Sequence, residues 1–336
     1  MTALRRVTQA PDARPDAVDP DALASAAQIV AEVRREGEAA LRRHAERLGD
    51  LDGVLVVDRD GLRRAWQSLD AADQALLQRT ADRIRRFAEA QRAALRDGEV
   101  AVEGGTAGWR HVPVERAGCY APGGRFPLPS SVLMTAVTAR VAGVAEVWVA
   151  SPRPQSVTLA AAHVAGADAL LTVGGAQAVA ALAYGAGPVP ACDVIVGPGN
   201  RWVTAAKHLV SSRVGIDLLA GPSELVVLAD AEADPALVAA DLLAQAEHDP
   251  DASPILVTPS ASLADAVDLA VEAQLRDLPT AEVAREALRR GFCVVVATVA
   301  DGVRVCDQLA PEHLALHLVD AAGLASGPAA PRHYGA

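Results

Sequence analysis

The sequence predicts an α/β fold built from βα units around parallel sheets, and two observations carry that expectation. Short apolar runs (EVWVAS, ALLTVGG, CDVIVGP, ELVVLAD, PILVTP and FCVVVAT) alternate with alanine-rich stretches of helical spacing. Each run is apolar at successive positions rather than at alternate ones, as strands covered on both faces require. At 336 residues and 51% hydrophobic, the chain is long enough for two such domains or one large one.

Taken in order, residues 1–20 are rich in Pro and Asp and read as an N-terminal arm. Residues 21–48 show helical periodicity with charged outer positions, and so do residues 72–95, which stop before Asp97-Gly98. From Gly108 onward the texture changes to the strand and helix alternation described above. No fixed-period repeat is present.

Composition excludes several function classes. A formal net charge of -11 argues against nucleic acid or an anionic membrane surface, because phosphate recognition needs a concentrated positive face. A small-molecule substrate is the expected partner. Cys119, Cys192, Cys293 and Cys306 are widely spaced with no C-x-x-C pair, which fits a reducing compartment and a cytoplasmic location. The N-terminus lacks the apolar core of a signal peptide, and no run of about 18 apolar residues is present to span a bilayer.

Glycine-rich turns mark three places where a ligand could sit. VGGAQAVAALAYG sets Gly174 and Gly175 before a helix whose first turn holds Gln177, VGPGNRWVTAAK places Gly197, Gly199 and Asn200 likewise, and GCYAPGGRFPLPSSV supplies a third loop with Tyr120. Free N–H groups at helix starts favour a phosphate or nucleotide at the carboxyl edge of a sheet. Ordinary turn chemistry explains each loop equally well on its own. None matches G-x-G-x-x-G, so a standard dinucleotide fingerprint is missing.

A further helix is expected to start at Asp234-Pro235, a cap followed by proline, and to run to about His248. Its Asp241, Gln245 and His248 share one stripe and could bind a divalent ion, or be merely a solvated helix end. In QLAPEHLALHL, Glu312 and His313 are adjacent; the imidazole suits proton removal from an alcohol and the carboxylate suits water activation, although an exposed loop pair reads the same way. Cys119 is either an aldehyde-attacking nucleophile or a small buried thiol.

These stretches together resemble histidinol dehydrogenase. The resemblance runs from about residue 20 to 320 through GCYAPGG, VGGAQAVAALAYG, VGPGNRWVTAAK, DLLAGPSELVVLAD, DLLAQAEHDP and LAPEHL. It implies a homodimeric, zinc-dependent enzyme that oxidises L-histidinol to L-histidine through the aldehyde and reduces two NAD⁺, the last step of histidine biosynthesis. It implies two α/β domains with parallel, incomplete Rossmann-like sheets of the aldehyde/histidinol dehydrogenase kind, divided as 21–118 plus 224–320 and 119–223. By the same resemblance Tyr120, Gln177 and Asn200 contact NAD, and Ser223, Gln245, His248 and His313 hold the substrate. Gln245 and His248 are also zinc ligands. His313 would remove the alcohol proton, and Glu312 would activate water against the aldehyde carbon.

The departure comes at the end. The family continues past LAPEHLALHLVD with a segment that supplies an aspartate zinc ligand and a histidine reaching the partner subunit's site. Here AAGLASGPAAPRHYGA follows, expected to be an irregular tail over 321–336, with His333 not taken as a replacement ligand. Impaired zinc binding and turnover are therefore expected. The alternative is a non-catalytic remnant that binds nucleotide or pairs with an intact subunit.

Overall fold

In the computed structural model the described residues are 4–10, 18–51, 53–123, 127–219, 223–327 and 330–331. The chain divides by its internal contacts into unit 1, Met1–Asp16 with Gly221–Ala336, and unit 2, Ala17–Ala220. In chain order β1 (Arg5–Val7) belongs to unit 1. Unit 2 then supplies α1 (Pro20–Glu36), α2 (Glu38–Arg47), β2 (Val56–Asp58), α3 (Arg59–Ser68), α4 (Ala71–Ala94), β3 (Gly98–Val102) and β4 (Gly105–Trp109). It continues with β5 (Arg116–Tyr120), α5 (Pro129–Ala142), β6 (Glu146–Ala150), α6 (Ser156–Val164), β7 (Ala169–Leu171), α7 (Gly175–Tyr184), β8 (Val194–Val196), α8 (Arg201–Val210) and β9 (Gly215–Ile216).

The main sheet of unit 2 has the order β2-β7-β6-β5-β8-β9, parallel except for β2, which runs antiparallel to β7. From β5 the chain winds outward through β6 and β7, then returns to β8 on the other side. That reversal between β5 and β8 is the topological switch point of a Rossmann-like sheet. Alternate strand residues feed two cores, as the two-residue period demands. Tyr120, Trp148 and Leu171 pack with α1, α2, α7 and α8 on one face, while Ala117, Cys119, Val149 and Leu170 pack with α3, α4, α5 and α6 on the other.

Unit 1 resumes with β10 (Glu224–Ala229), α9 (Pro235–Ala246), β11 (Ser253–Thr258), α10 (Ala261–Gln274), α11 (Ala281–Arg290), β12 (Phe292–Val295), α12 (Val299–Leu309), β13 (His313–His317) and α13 (Ala321–Ser326). Its sheet, β1-β12-β11-β10-β13, is parallel throughout. Val227, Leu256 and Cys293 face α9, α10 and α11, and Val226, Leu228 and Val257 face α12.

Several expectations change. Residues 21–118 group with unit 2 rather than with 224–320, because the buried stripe Ala22, Ala26 and Val33 of α1 enters the same core as Val179 and Val203. The helical stretch 21–48 is two helices, broken at Gly37, whose φ of +59° suits glycine. The N-terminal arm contributes β1 to a sheet, and 11–17 lie outside the described residues. The tail is helical over Ala321–Ser326, capped by Asp320, which accepts from the Gly323 N–H at 3.0 Å. His333 lies outside the described residues.

Candidate functional site

At the carboxyl edge of the unit 2 sheet the loops that follow its strands converge. Tyr120 ends β5 and its hydroxyl accepts a hydrogen bond from the Gly175 N–H at 3.0 Å, which ties this strand to the start of α7. Burial pushes the Tyr120 phenol up to about 12, so it is neutral at physiological pH. Adding a Cβ to Gly123 or Gly174 would bring it within 2.8 or 2.7 Å of the Pro152 ring, so three loops meet at one proline. Gly197, just past β8, has φ +117° and lies so close to β5 that a Cβ would sit 2.1 Å from the Tyr120 carbonyl oxygen. Asn200 caps α8, its Oδ1 accepting from the Val203 N–H at 3.2 Å.

Gln177 is fully buried in the first turn of α7. Its Nε2 donates to Asp50 Oδ2 at 2.8 Å, while its Oε1 has no hydrogen-bond partner among the described residues. A buried amide oxygen left unpaired costs free energy of about 1–3 kcal/mol, so a donor supplied from outside the chain answers a real deficit. Burial raises the Asp50 carboxyl, and the Gly174 backbone hydrogen bond pulls it back. An orphan acceptor beside a glycine-lined cradle at the carboxyl edge of the sheet fits a bound nucleotide.

The second group of expected residues collects at the opposite kind of edge, the amino edge of the unit 1 sheet. Ser223 immediately precedes β10, and its carbonyl accepts from the Ser253 N–H at the start of β11 at 3.0 Å. Between those strands α9 runs back, and its C-terminal end delivers Gln245 and His248 to the same edge. Asp234 caps α9 as expected, its Oδ1 accepting from the Ala236 N–H at 2.8 Å. The helix ends at Ala246 rather than at His248. His248 stands in the following turn, exposed, with its N–H donating to the Gln245 carbonyl at 3.3 Å.

His313 is the first residue of β13 and lies opposite Leu225 of β10. Its Nδ1 is 3.7 Å from Glu312 Oε2, and the side chains are 59% and 42% exposed, so both groups reach solvent. Before them Ala310 holds φ +38°, a left-handed conformation forced between the end of α12 and Pro311. That conformation costs an alanine about 1–2 kcal/mol. Ala310→Gly is therefore expected to stabilise unit 1 by about 0.5–1 kcal/mol after the added unfolded-state entropy is subtracted. The urea midpoint should rise; an unchanged or lower midpoint would show that the strain is absorbed elsewhere.

Two alternatives that the sequence left open are decided. Asp241 is not free to complete a metal stripe, since its Oδ2 pairs with His317 Nε2 at 2.7 Å on β13. Cys119 is fully buried and burial pushes its thiol to about 12, so it is an inert core thiol rather than a nucleophile. Among the described residues no group of three or more His, Cys, Asp or Glu could hold a metal. A closed zinc site needs about four donors. The Gln245 amide and the His248 imidazole alone do not fit one. Sequence reasoning also missed Asp50 as the partner of Gln177, 127 positions away, for which no local signal exists.

Comparison with known proteins gives a consistent result. Residues 12–329 match the histidinol dehydrogenase family. The histidinol dehydrogenase of Thermus thermophilus is 49% identical over 296 residues, covering 87% of this chain and 70% of that protein. That of Haloarcula marismortui is 45% identical over 320 residues, covering 92% of this chain and 75% of its own. The crystal structure of histidinol dehydrogenase from Elizabethkingia anophelis superposes with a TM-score of 0.88 at 28% identity, covering 98% of this chain and 78% of that one.

Proposed function

For a chain that belongs to the histidinol dehydrogenase family, an NAD-dependent oxidoreductase family of histidine biosynthesis, we propose the full four-electron oxidation of L-histidinol to L-histidine through L-histidinal. The observation that carries the reading is the match over residues 12–329 together with 49% identity to a curated relative. Tyr120, Gln177 and Asn200 would hold NAD⁺, which would supply the hydride acceptor for each oxidation. The unpaired Gln177 Oε1 supports that placement, because it needs a donor.

The protein's own groups divide the remaining chemistry. Ser223, Gln245, His248 and His313 orient histidinol at the amino edge of the unit 1 sheet. In the first oxidation the His313 imidazole takes the alcohol proton as the carbinol C–H bond breaks and the C=O bond forms. In the second, Glu312 takes a proton from water as its oxygen adds to the aldehyde carbon. The hydrate formed then gives a hydroxyl proton to the His313 imidazole, and its carbon-bound hydrogen leaves as hydride, which a second NAD⁺ would accept, to give the acid. Exposure of both side chains supports direct access to substrate and water. The family uses zinc as well as NAD, but two donors make an incomplete set, and no step is assigned to the metal.

The same proposal takes the assembly as a homodimer and the location as cytoplasmic. Among the described residues no helix is long and apolar enough to cross a membrane. The incomplete zinc donor set favours a second reading, in which the chain binds nucleotide, or pairs with an intact subunit, without turnover of its own.

Absorbance of NADH in the presence of L-histidinol, with and without added Zn²⁺, separates the two. The first reading expects two NADH per histidinol consumed. A chain that binds NADH yet produces none with zinc present belongs to the second.

A further inference from the structure

Lys207 is a lysine in an unusual place. Its side chain is only 3% exposed, on the inward face of α8, where lysine is found only when paired. The partner is Asp217, the residue after β9; Nζ also donates to the Gly197 carbonyl at 2.8 Å. Asp217 in turn accepts from the Gly197 N–H at 2.7 Å through Oδ2 and from the Leu218 N–H at 2.7 Å through Oδ1. One ion pair therefore holds both polar groups of the Gly197 residue.

Position gives this grip its meaning. The ladder between β5 and β8 ends at Val196, opposite Cys119, so Gly197 is the first residue beyond the sheet. Pro198 follows and donates no hydrogen bond. Gly199 packs so tightly that a Cβ would meet Val203 at 2.3 Å, and Asn200 is fixed as the α8 cap. The loop is thus held by the cap at its far end and by the Lys207–Asp217 pair at its near end. Stability alone is a poor reason for such a pair, since replacing a buried ion pair with apolar residues of similar size is often neutral or stabilising.

We infer that the Lys207–Asp217 pair is the clamp that sets the nucleotide loop between β8 and α8, which makes Lys207 a positioning residue for NAD binding. This rests on the reading of Tyr120 and Asn200 as nucleotide contacts. The clamp fixes the carbonyl and N–H of Gly197 against β5, and so fixes the distance between the Tyr120 strand end and the Asn200 turn. Without it the loop keeps its sequence but loses its register, and a displacement on the order of 1 Å is enough to cost about 10²-fold where groups must converge on one ligand.

The test is NADH fluorescence titration of the whole 336-residue chain, with wild type, Lys207→Met, Lys207→Arg and Asp217→Asn, each checked for folding by circular dichroism. Lys207→Met is expected to raise the NADH dissociation constant roughly 10–100-fold, with Asp217→Asn in the same direction and Lys207→Arg recovering part of the loss. The affinity for L-histidinol, measured separately by calorimetry, should stay within about twofold, which a general loss of structure would not allow. Wild type that binds no NADH would overturn the reading of the loop itself. Wild type that binds while folded Lys207→Met binds equally well would overturn only the clamp. If Lys207→Met and Asp217→Asn both fail to fold, the pair is a folding element and the clamp is likewise refuted.

Discussion

Gly197→Ala is expected to destabilise unit 2 by about 2–5 kcal/mol and to abolish detectable NADH binding at concentrations that saturate the wild type. Two independent effects add. A φ of +117° lies where side-chain-bearing residues rarely go, and the new methyl would fall 2.1 Å from the Tyr120 carbonyl oxygen and 3.1 Å from its nitrogen. Those neighbours are backbone of β5, a central strand, so neither can swing aside as a side chain would. The loop must retreat, and retreat breaks the hydrogen bonds of Gly197 to Asp217 and Lys207. Urea denaturation and NADH titration read the two effects separately. A stability within about 1 kcal/mol of wild type, with binding retained, would mean that β5 and this loop are not in fact this close.

His313→Gln is expected to lower the rate of histidinol oxidation by roughly 10²–10⁴-fold while leaving NADH affinity and folding nearly unchanged. The imidazole stands at the exposed start of β13, where Glu312 approaches it at 3.7 Å, so its removal uncovers no core and leaves no buried charge. Glutamine preserves polarity and approximate size but cannot carry the proton. Glu312→Gln should differ in kind: with water activation impaired, the first NADH forms and the aldehyde builds up before the second. Stopped-flow absorbance with trapping of the aldehyde distinguishes the variants. Equal rates in His313→Gln and wild type would remove His313 from the chemistry.

The βα alternation was legible because burial on both faces writes continuous apolar runs, and strands such as Glu146–Ala150 and Glu224–Ala229 fall where those runs are. The start of α9 was legible from Asp234-Pro235, whereas its end was not, since the turn through Glu247 and His248 depends on tertiary contacts such as Thr280 Oγ1 donating to Glu247 at 2.7 Å. Which sheet the first helices join was also hidden, because the stripe Ala22, Ala26 and Val33 would suit either core. At the site, local glycine chemistry marked the three loops, and only the family resemblance singled out Tyr120, Gln177 and Asn200 within them. The groups that brace them, Asp50, Lys207 and Asp217, carry no local mark, since a buried charge acquires its meaning only from a partner the fold brings near.

Unit 1 also imposes a timetable. Its edge strand β1 is Arg5–Val7, and Arg5 pairs with Phe292, so this strand bonds to one that is made only after the whole of unit 2. All of unit 2, Ala17–Ala220, emerges in between. Domains fold as units during synthesis, at about 5–20 residues per second. Unit 2 therefore has its whole sequence available many seconds before β12 exists, while β1 waits as an unpaired edge. Closing that pairing across the whole of unit 2 is the slow step topology predicts. Translation order thus leaves unit 1 rather than unit 2 as the half exposed to misassembly during synthesis.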